Sequence, residues 1–133
     1  MENKRVTVWL EDSKRWLALA TSAKEQGFYD KSLYCLEMSF ESSIKAALTR
    51  SGIEFPKSHN IAHLLMLNKD KLPDRLRDDQ ERVIDIFTAL LESRNASSYR
   101  AESSFTDQDF KKKVDRYFND VEDIEKNIEK SFD

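Results

Sequence analysis

Thr106-Asp107-Gln108-Asp109-Phe110 opens a stretch, continued through Val114, Tyr117, Val121, Ile124 and Ile128, whose reading decides the fold. Its apolar side chains recur at alternating intervals of four and three residues, the spacing of one face of an α-helix; a strand would repeat every second residue. Thr106 followed three residues later by Asp109 fits a capping box, so the pattern predicts a helix beginning near residue 107 and running for about five turns. Its unbroken apolar seam resembles that of a coiled coil and predicts a partner helix, either within the chain or from a second copy. The charged residues of 107–130 are read as the solvated face of the same helix.

Working back toward the N-terminus, Val83, Ile86, Phe87, Leu90 and Leu91 repeat the helical spacing, with Pro73 placed in the first turn of a helix that runs to about Arg94. A polar island follows, Arg94-Asn95-Ala96-Ser97-Ser98-Tyr99. Arg94 continues the apolar stripe, so its guanidinium needs a partner; Glu37, Glu41 or a carboxylate of another chain are the candidates for a structural ion pair. Two longer helices are expected upstream. One spans roughly residues 6–26, with Trp9, Trp16, Leu17, Ala20 and Ala23 as its stripe. The other carries Phe28, Leu33, Leu36, Phe40, Ile44, Ala47 and Leu48 as far as Gly52. Gly27 ends the first as a C′ residue, which makes the pair an antiparallel hairpin. Residues 53–58 read as a loop because Pro56 disfavours helix before it, and a short helix from His59 to about Asn68 follows.

The chain has 133 residues, the size of one domain, here taken as residues 1–133. Two glycines, two prolines and 35% charged residues leave few turn residues for a many-stranded fold. The class expected is all-α: an up-down four-helix bundle with a short additional helix. A formal net charge of −3 argues against a broad non-specific nucleic-acid coat but permits a local basic patch. No apolar run approaches a membrane span, and Met1-Glu2-Asn3-Lys4-Arg5 lacks the apolar segment of a signal peptide, so a cytoplasmic protein without a membrane partner is expected. The lone Cys35 lies in an apolar helical run and reads as a packed thiol.

In the order of these features the chain resembles the HEPN family over about residues 7–130. The resemblance rests on Trp9-Leu10-Glu11 in the first helix, Gly27-Phe28-Tyr29-Asp30 before the second, and Glu41 with Ile44-Lys45-Ala46-Ala47-Leu48 within it. Gly52, Pro56 and His59 before a Leu-Leu helix, and then Arg94 to Tyr99, complete it. It implies a homodimer, often paired with a minimal nucleotidyltransferase, that acts on RNA or a nucleotide. The catalytic branch of the family is similar to metal-independent ribonucleases with a signature of Arg, a polar residue, a few further positions and His. Arg94 and Asn95 match its start, but Tyr99 stands where the histidine is expected, and no histidine lies between Ala96 and Asp109. A second branch, with Arg, two residues, a small residue, an acid and then Tyr, is closer, although Ser98 replaces the acid.

Cleavage through the RNA 2′-hydroxyl needs a group that exchanges protons near neutral pH; imidazole titrates near 6.5 and phenol only near 10. The resemblance therefore implies a dimeric binding module for RNA or nucleotide phosphates without full ribonuclease activity. Arg94, Asn95, Tyr99, Arg100 and His59 are its candidate ligand-binding residues. Arg94, Asn95 and Tyr99 form the degenerate catalytic motif if cleavage survives, as in a ribonuclease toxin of a toxin-antitoxin pair. The alternative is a purely structural interaction module. On an ideal helix Arg94 points about 140° away from Tyr99, so a joint site needs a helix break or a second subunit. His59 and His63, four residues apart, share a face of the short helix; the ordinary expectation is a helix-end hydrogen bond for His59 and packing for His63, with a shared metal or a catalytic pair as alternatives. No metal and no cofactor is expected.

Overall fold

The computed structural model describes residues 4–131, apart from the side chain of Arg75. Met1, Glu2 and Asn3 of the N-terminal segment read above, and the last two residues of the expected domain, lie outside that range. The helices are α1 (Lys4–Glu25), α2 (Tyr29–Arg50), α3 (Ala62–Leu67), α4 (Asp74–Asp78), α5 (Gln80–Ser98) and α6 (Asp107–Lys130), with a 3₁₀ turn at Lys69–Lys71. There is no strand among the described residues, and no helix there is long and apolar enough to cross a membrane. α1, α2, α5 and α6 form an up-down bundle. Glu37 of α2 faces Arg94 of α5 while Phe40 faces Phe87, and Lys24 of α1 lies on Phe118 of α6 while Lys14 reaches Glu129; both pairs therefore run antiparallel.

Local chemistry explains the boundaries. Gly27 and Gly52 adopt φ of 79° and 75°, the left-handed conformation that closes a helix. In both turns the amide that follows the glycine reaches back to the helix, Phe28 N to Ala23 O and Ile53 N to Leu48 O, each at 2.9 Å. α6 starts with the expected capping box: Asp109 N donates to Thr106 Oγ1 at 3.1 Å, and Thr106 N donates to Asp109 Oδ2 at 2.9 Å. Hydrogen bonding to its carboxylate, first from the Thr106 amide and then from the Thr106 side chain, holds the Asp109 carboxyl below its ordinary range.

α2 is the central element, and residues 39–48 are buried without interruption. Its serines let neighbours approach closely and bond to them: Ser32 Oγ donates to Ala20 O at 2.8 Å. One polar knot ties three helices. Ser39 Oγ of α2 lies 2.8 Å from the Ser13 carbonyl of α1 and 2.7 Å from Glu125 Oε2 of α6, while Ser13 Oγ is 3.1 Å from the same Glu125 oxygen. One hydroxyl proton serves only one of these oxygens at a time, so a protonated Glu125 satisfies them best. Burial pushes the Glu125 carboxyl up to about 7, against the opposing pull of the serine hydroxyls.

Several expectations are corrected. The helix entered after Pro73 is interrupted at Asp79, whose side chain holds Arg82 Nη1 at 3.0 Å, and the part beyond extends past Arg94 to Ser98. The short helix starts at Ala62, so His59 precedes it, and His63 is exposed instead of packed. Phe28 is exposed, and on α1 the fully buried positions are Val6, Ser13 and Ala20, with both tryptophans only half-buried. The α6 seam packs inside the protomer: Phe110, Val114, Val121 and Ile128 are wholly buried, and Phe118 is buried where Tyr117 is only half-buried. An internal seam needs no second copy to cover it.

The Glu125 carboxyl titrates higher folded than its ordinary 4.5, so its contribution to stability is fully present below that value and is lost as pH rises through about 7. Glu125→Gln is expected to flatten the fall in stability between pH 5 and 7 and, at pH 8, to leave the variant more stable than the native chain by about 2 kcal/mol. Urea unfolding at a series of pH values measures this; an unchanged pH slope in the variant would remove Glu125 as its source.

Candidate functional site

Tyr34, Glu37, Glu41 and Lys45 fall at spacings of three and four residues and so form one stripe along α2. The stripe meets the C-terminal turns of α5 and the 51–61 connection. Glu37 and Glu41 are 1% and 2% exposed, so their charges have to be answered by neighbouring side chains. Lys45 Nζ donates to Glu41 Oε1 at 2.7 Å. His59 Nδ1 lies 3.0 Å from Glu41 Oε2, and its other nitrogen, Nε2, is 3.2 Å from Arg94 Nη2. Arg94 Nε in turn lies 3.7 Å from Glu37 Oε2, and the guanidinium sits 5.1 Å over the Tyr34 ring.

The proton positions follow from donor and acceptor rules. A guanidinium only donates, so His59 Nε2 accepts from Arg94, and the ring proton resides on Nδ1, where it is donated to Glu41. The imidazole thus presents a fixed basic nitrogen beside a cation. Its side chain is 48% exposed, whereas that of Arg94 is 15% exposed; the histidine is the opening of the cluster and the arginine its wall.

Glu37 behaves differently. Burial, reinforced by the nearby Glu41 carboxylate, pushes its carboxyl up to about 9, and Arg94 and Lys45 pull it back only in part. A neutral Glu37 fits the geometry: 3.7 Å is within reach of an ion pair but beyond a hydrogen bond, and neither Glu37 oxygen nor Arg94 Nε has a hydrogen-bond partner. With Glu37 protonated, two cations face the single carboxylate of Glu41, and the cluster carries an excess of positive charge.

Glu37, Glu41 and His59 also place one potential ligand atom each within 4.8 Å of the others. A divalent ion there would have to displace Lys45 from Glu41, displace Arg94 from His59 and deprotonate Glu37. The donor set suits the two cationic side chains better than it suits a metal.

Of the residues expected from the sequence, Arg94 and His59 are brought together. Glu37, 3.7 Å from Arg94 Nε, is among the neighbours expected for Arg94. Asn95, Tyr99 and Arg100 make other contacts. Asn95 is exposed and its carbonyl accepts from Tyr99 N at 3.2 Å; Tyr99 is 69% exposed at the end of α5; and Arg100 pairs with Asp107 at 3.0 Å. His59 and His63 share no helix face, because His59 lies in the connection before α3. The sequence gives Lys45 no site role and offers Glu41 as a partner for Arg94. Their four-residue spacing inside an otherwise apolar and small-residue run was the available signal.

A family model of the HEPN domain matches residues 6–130. The chain belongs to the HEPN family. No curated protein and no solved structure gives a significant match.

Glu41→Ala strands the Lys45 ammonium, whose side chain is 11% exposed, and frees His59. The substitution is expected to lower the unfolding free energy by about 3 kcal/mol, and the double variant Glu41→Ala/Lys45→Met is expected to recover part of that loss. Denaturant titration of Glu41→Ala, Lys45→Met and the double variant checks it; strictly additive losses would mean that the pair is not coupled.

Proposed function

We propose that this HEPN domain binds the phosphates of RNA or of a nucleotide at the contact between Arg94 and His59. The observation that carries the reading is the 3.2 Å approach of Arg94 Nη2 to His59 Nε2, beside a Glu37 carboxyl pushed up to about 9. A planar fork of donors next to an imidazole, in a cluster with surplus positive charge, suits a phosphate oxyanion. Asn95, Tyr99 and Arg100 are reserved for an outer part of the same surface, with tyrosine offering a stacking face.

Metal-independent RNA cleavage is the second reading, and the pairing of Glu41 with His59 favours it. Glu41 fixes the tautomer, so Nε2 is available to take the proton from a 2′-hydroxyl as that oxygen attacks phosphorus. Arg94 would stabilise the negative charge that develops on the phosphoryl oxygens. The departing 5′-oxygen needs a proton returned to it, by the same imidazole or by a second histidine. The sequence offset of Tyr99 from Arg94 matters less in this geometry, because the imidazole comes from a segment 35 residues away. The toxin-antitoxin role and a nucleotidyltransferase partner belong to this reading.

We further infer a homodimer in a cytoplasmic setting. Support for the dimer comes from Val8 and Leu19, exposed on α1, and from the presence of one site histidine per chain. Sedimentation equilibrium at micromolar concentration is expected to give twice the 15.6 kDa of the chain; a single species at the chain mass would remove the dimer.

Fluorescence polarisation with a short labelled single-stranded RNA tests the main reading. Arg94→Ala is expected to weaken binding by about tenfold or more, since charge-assisted contacts contribute about 1.5–3 kcal/mol each, while the fold persists. Equal binding by the native and variant proteins, or an unfolded variant of a native chain that binds nothing, would favour a purely structural Arg94. Cleavage that survives EDTA and disappears in both Arg94→Ala and His59→Ala would establish the ribonuclease reading instead.

A further inference from the structure

Beside His59, an open cavity of about 490 Å³ lies between the start of α1, Lys45 of α2 and the 55–59 segment. Its volume is that of a small-molecule site. Trp9 and Phe55 form its aromatic walls, with ring centroids 6.1 Å apart and planes inclined at 59°. Arg5, Lys45 and Lys57 supply cations, and His59 closes the end nearest the phosphate-binding cluster. No carboxylate lines it. The cavity between the α5–α6 connection and α6 is different, because Glu92 and Asp109 stand among its basic residues. In a chain of net charge −3, a basic, acid-free aromatic cavity that shares a wall with the Arg94–His59 contact is a specific arrangement.

The aromatic pair does more than cover Lys45. The Lys45 ammonium sits 5.0 Å from the Trp9 ring and 5.7 Å from the Phe55 ring, yet both rings remain half-buried and line the open cavity. Phe55 is held from behind by its packing against the core, and the adjacent Pro56 restricts the backbone beside it. The Phe55 ring is therefore presented on a firm support, and holding it there costs a ligand little ordering entropy.

We infer that this cavity is a nucleobase-stacking pocket for single-stranded RNA, in which Trp9 and Phe55 take a base while Arg5 and Lys57 take its flanking phosphates and the next phosphate reaches Arg94 and His59. This inference rests on the phosphate-binding reading above and adds the base to it. Aromatic faces accept every base and basic side chains follow the backbone, which is the combination that single-strand binders use.

Trp9 reports on the pocket directly once Trp16→Phe has left it as the only tryptophan. A short oligoadenylate is expected to quench Trp9 emission. Phe55→Leu, which keeps apolar volume against the core but removes the ring, is expected to weaken oligoadenylate binding about five- to a hundredfold with an unchanged circular dichroism spectrum. An abasic oligomer with the same number of phosphates is expected to bind the native protein as weakly as oligoadenylate binds Phe55→Leu, and to be insensitive to that substitution. Lys57→Ala, exposed and outside the core, is expected to weaken both oligomers. Equal affinity for the two oligomers, with Phe55→Leu binding like the native protein, would overturn the base pocket and leave the phosphate reading standing. Binding of neither oligomer would overturn both. Adenosine monophosphate binding as tightly as the oligomer would overturn RNA as the occupant in favour of a free nucleotide.

Discussion

Burial of α2 among the other long helices is the constraint on which the rest of the structure depends. A helix covered on nearly all sides is usually apolar throughout, but this one carries Ser39, Glu41, Ser42, Ser43 and Lys45 within its most buried stretch. Each of these groups lost water on folding and has to recover hydrogen bonds or charge partners from its neighbours. The bundle is arranged so that they do. Serines reach the α1 backbone and Glu125 of α6, and the two charged residues pair with each other and meet the connection that holds His59. Small hydroxyl side chains also let α1 and α6 lie close enough for those bonds to form.

The same constraint has two different outcomes along α2. Around Ser13 and Ser39 the carboxyl of Glu125 is bonded from several directions and walled in by three helices, so it acts as a structural fastening. Around Glu37 the accounting is incomplete: its oxygens and Arg94 Nε lack hydrogen-bond partners, and the neighbouring histidine opens to the surface. Both carboxyls titrate above their ordinary range because of burial, so elevation alone does not mark a site. What separates them is the way each is answered: serine hydroxyls hold Glu125, whereas Glu37 has no hydrogen-bond partner and stands beside the Arg94 guanidinium.

Local periodicity carried most of the fold. The intervals in residues 106–128 and 83–91, the glycines at 27 and 52 and the Thr106–Asp109 box placed four long helices, three with ends close to those observed. Periodicity reports that a face is buried without reporting what covers it, which is why the α6 seam could suggest a second copy when α2 supplies the cover. The interruption at Asp79 was hidden because its side chain pairs with Arg82 and makes no cap hydrogen bond, so within a charged run it resembles an ordinary surface position. The site was less legible. Arg94 announced itself by continuing an apolar stripe, but its neighbours come from α2 and from the loop before α3, and no spacing along the chain relates them.

That difference bears on how a missing motif residue is to be read. A spacing motif on one helix is a proxy for a distance, and the chemistry responds only to the distance. Tyr99 occupies the motif position yet is exposed to solvent at the end of α5, whereas His59, 35 residues from Arg94 along the chain, lies in hydrogen-bond range of its guanidinium. Glu41 then matters twice: it balances the buried Lys45 and it sets which nitrogen of His59 carries the proton. Because one carboxylate does both, the group that stabilises α2 and the group that orients the imidazole are the same. Any change that loosens the buried pair must also disturb the nitrogen that faces Arg94, so stability and binding at this end of the bundle are coupled through Glu41.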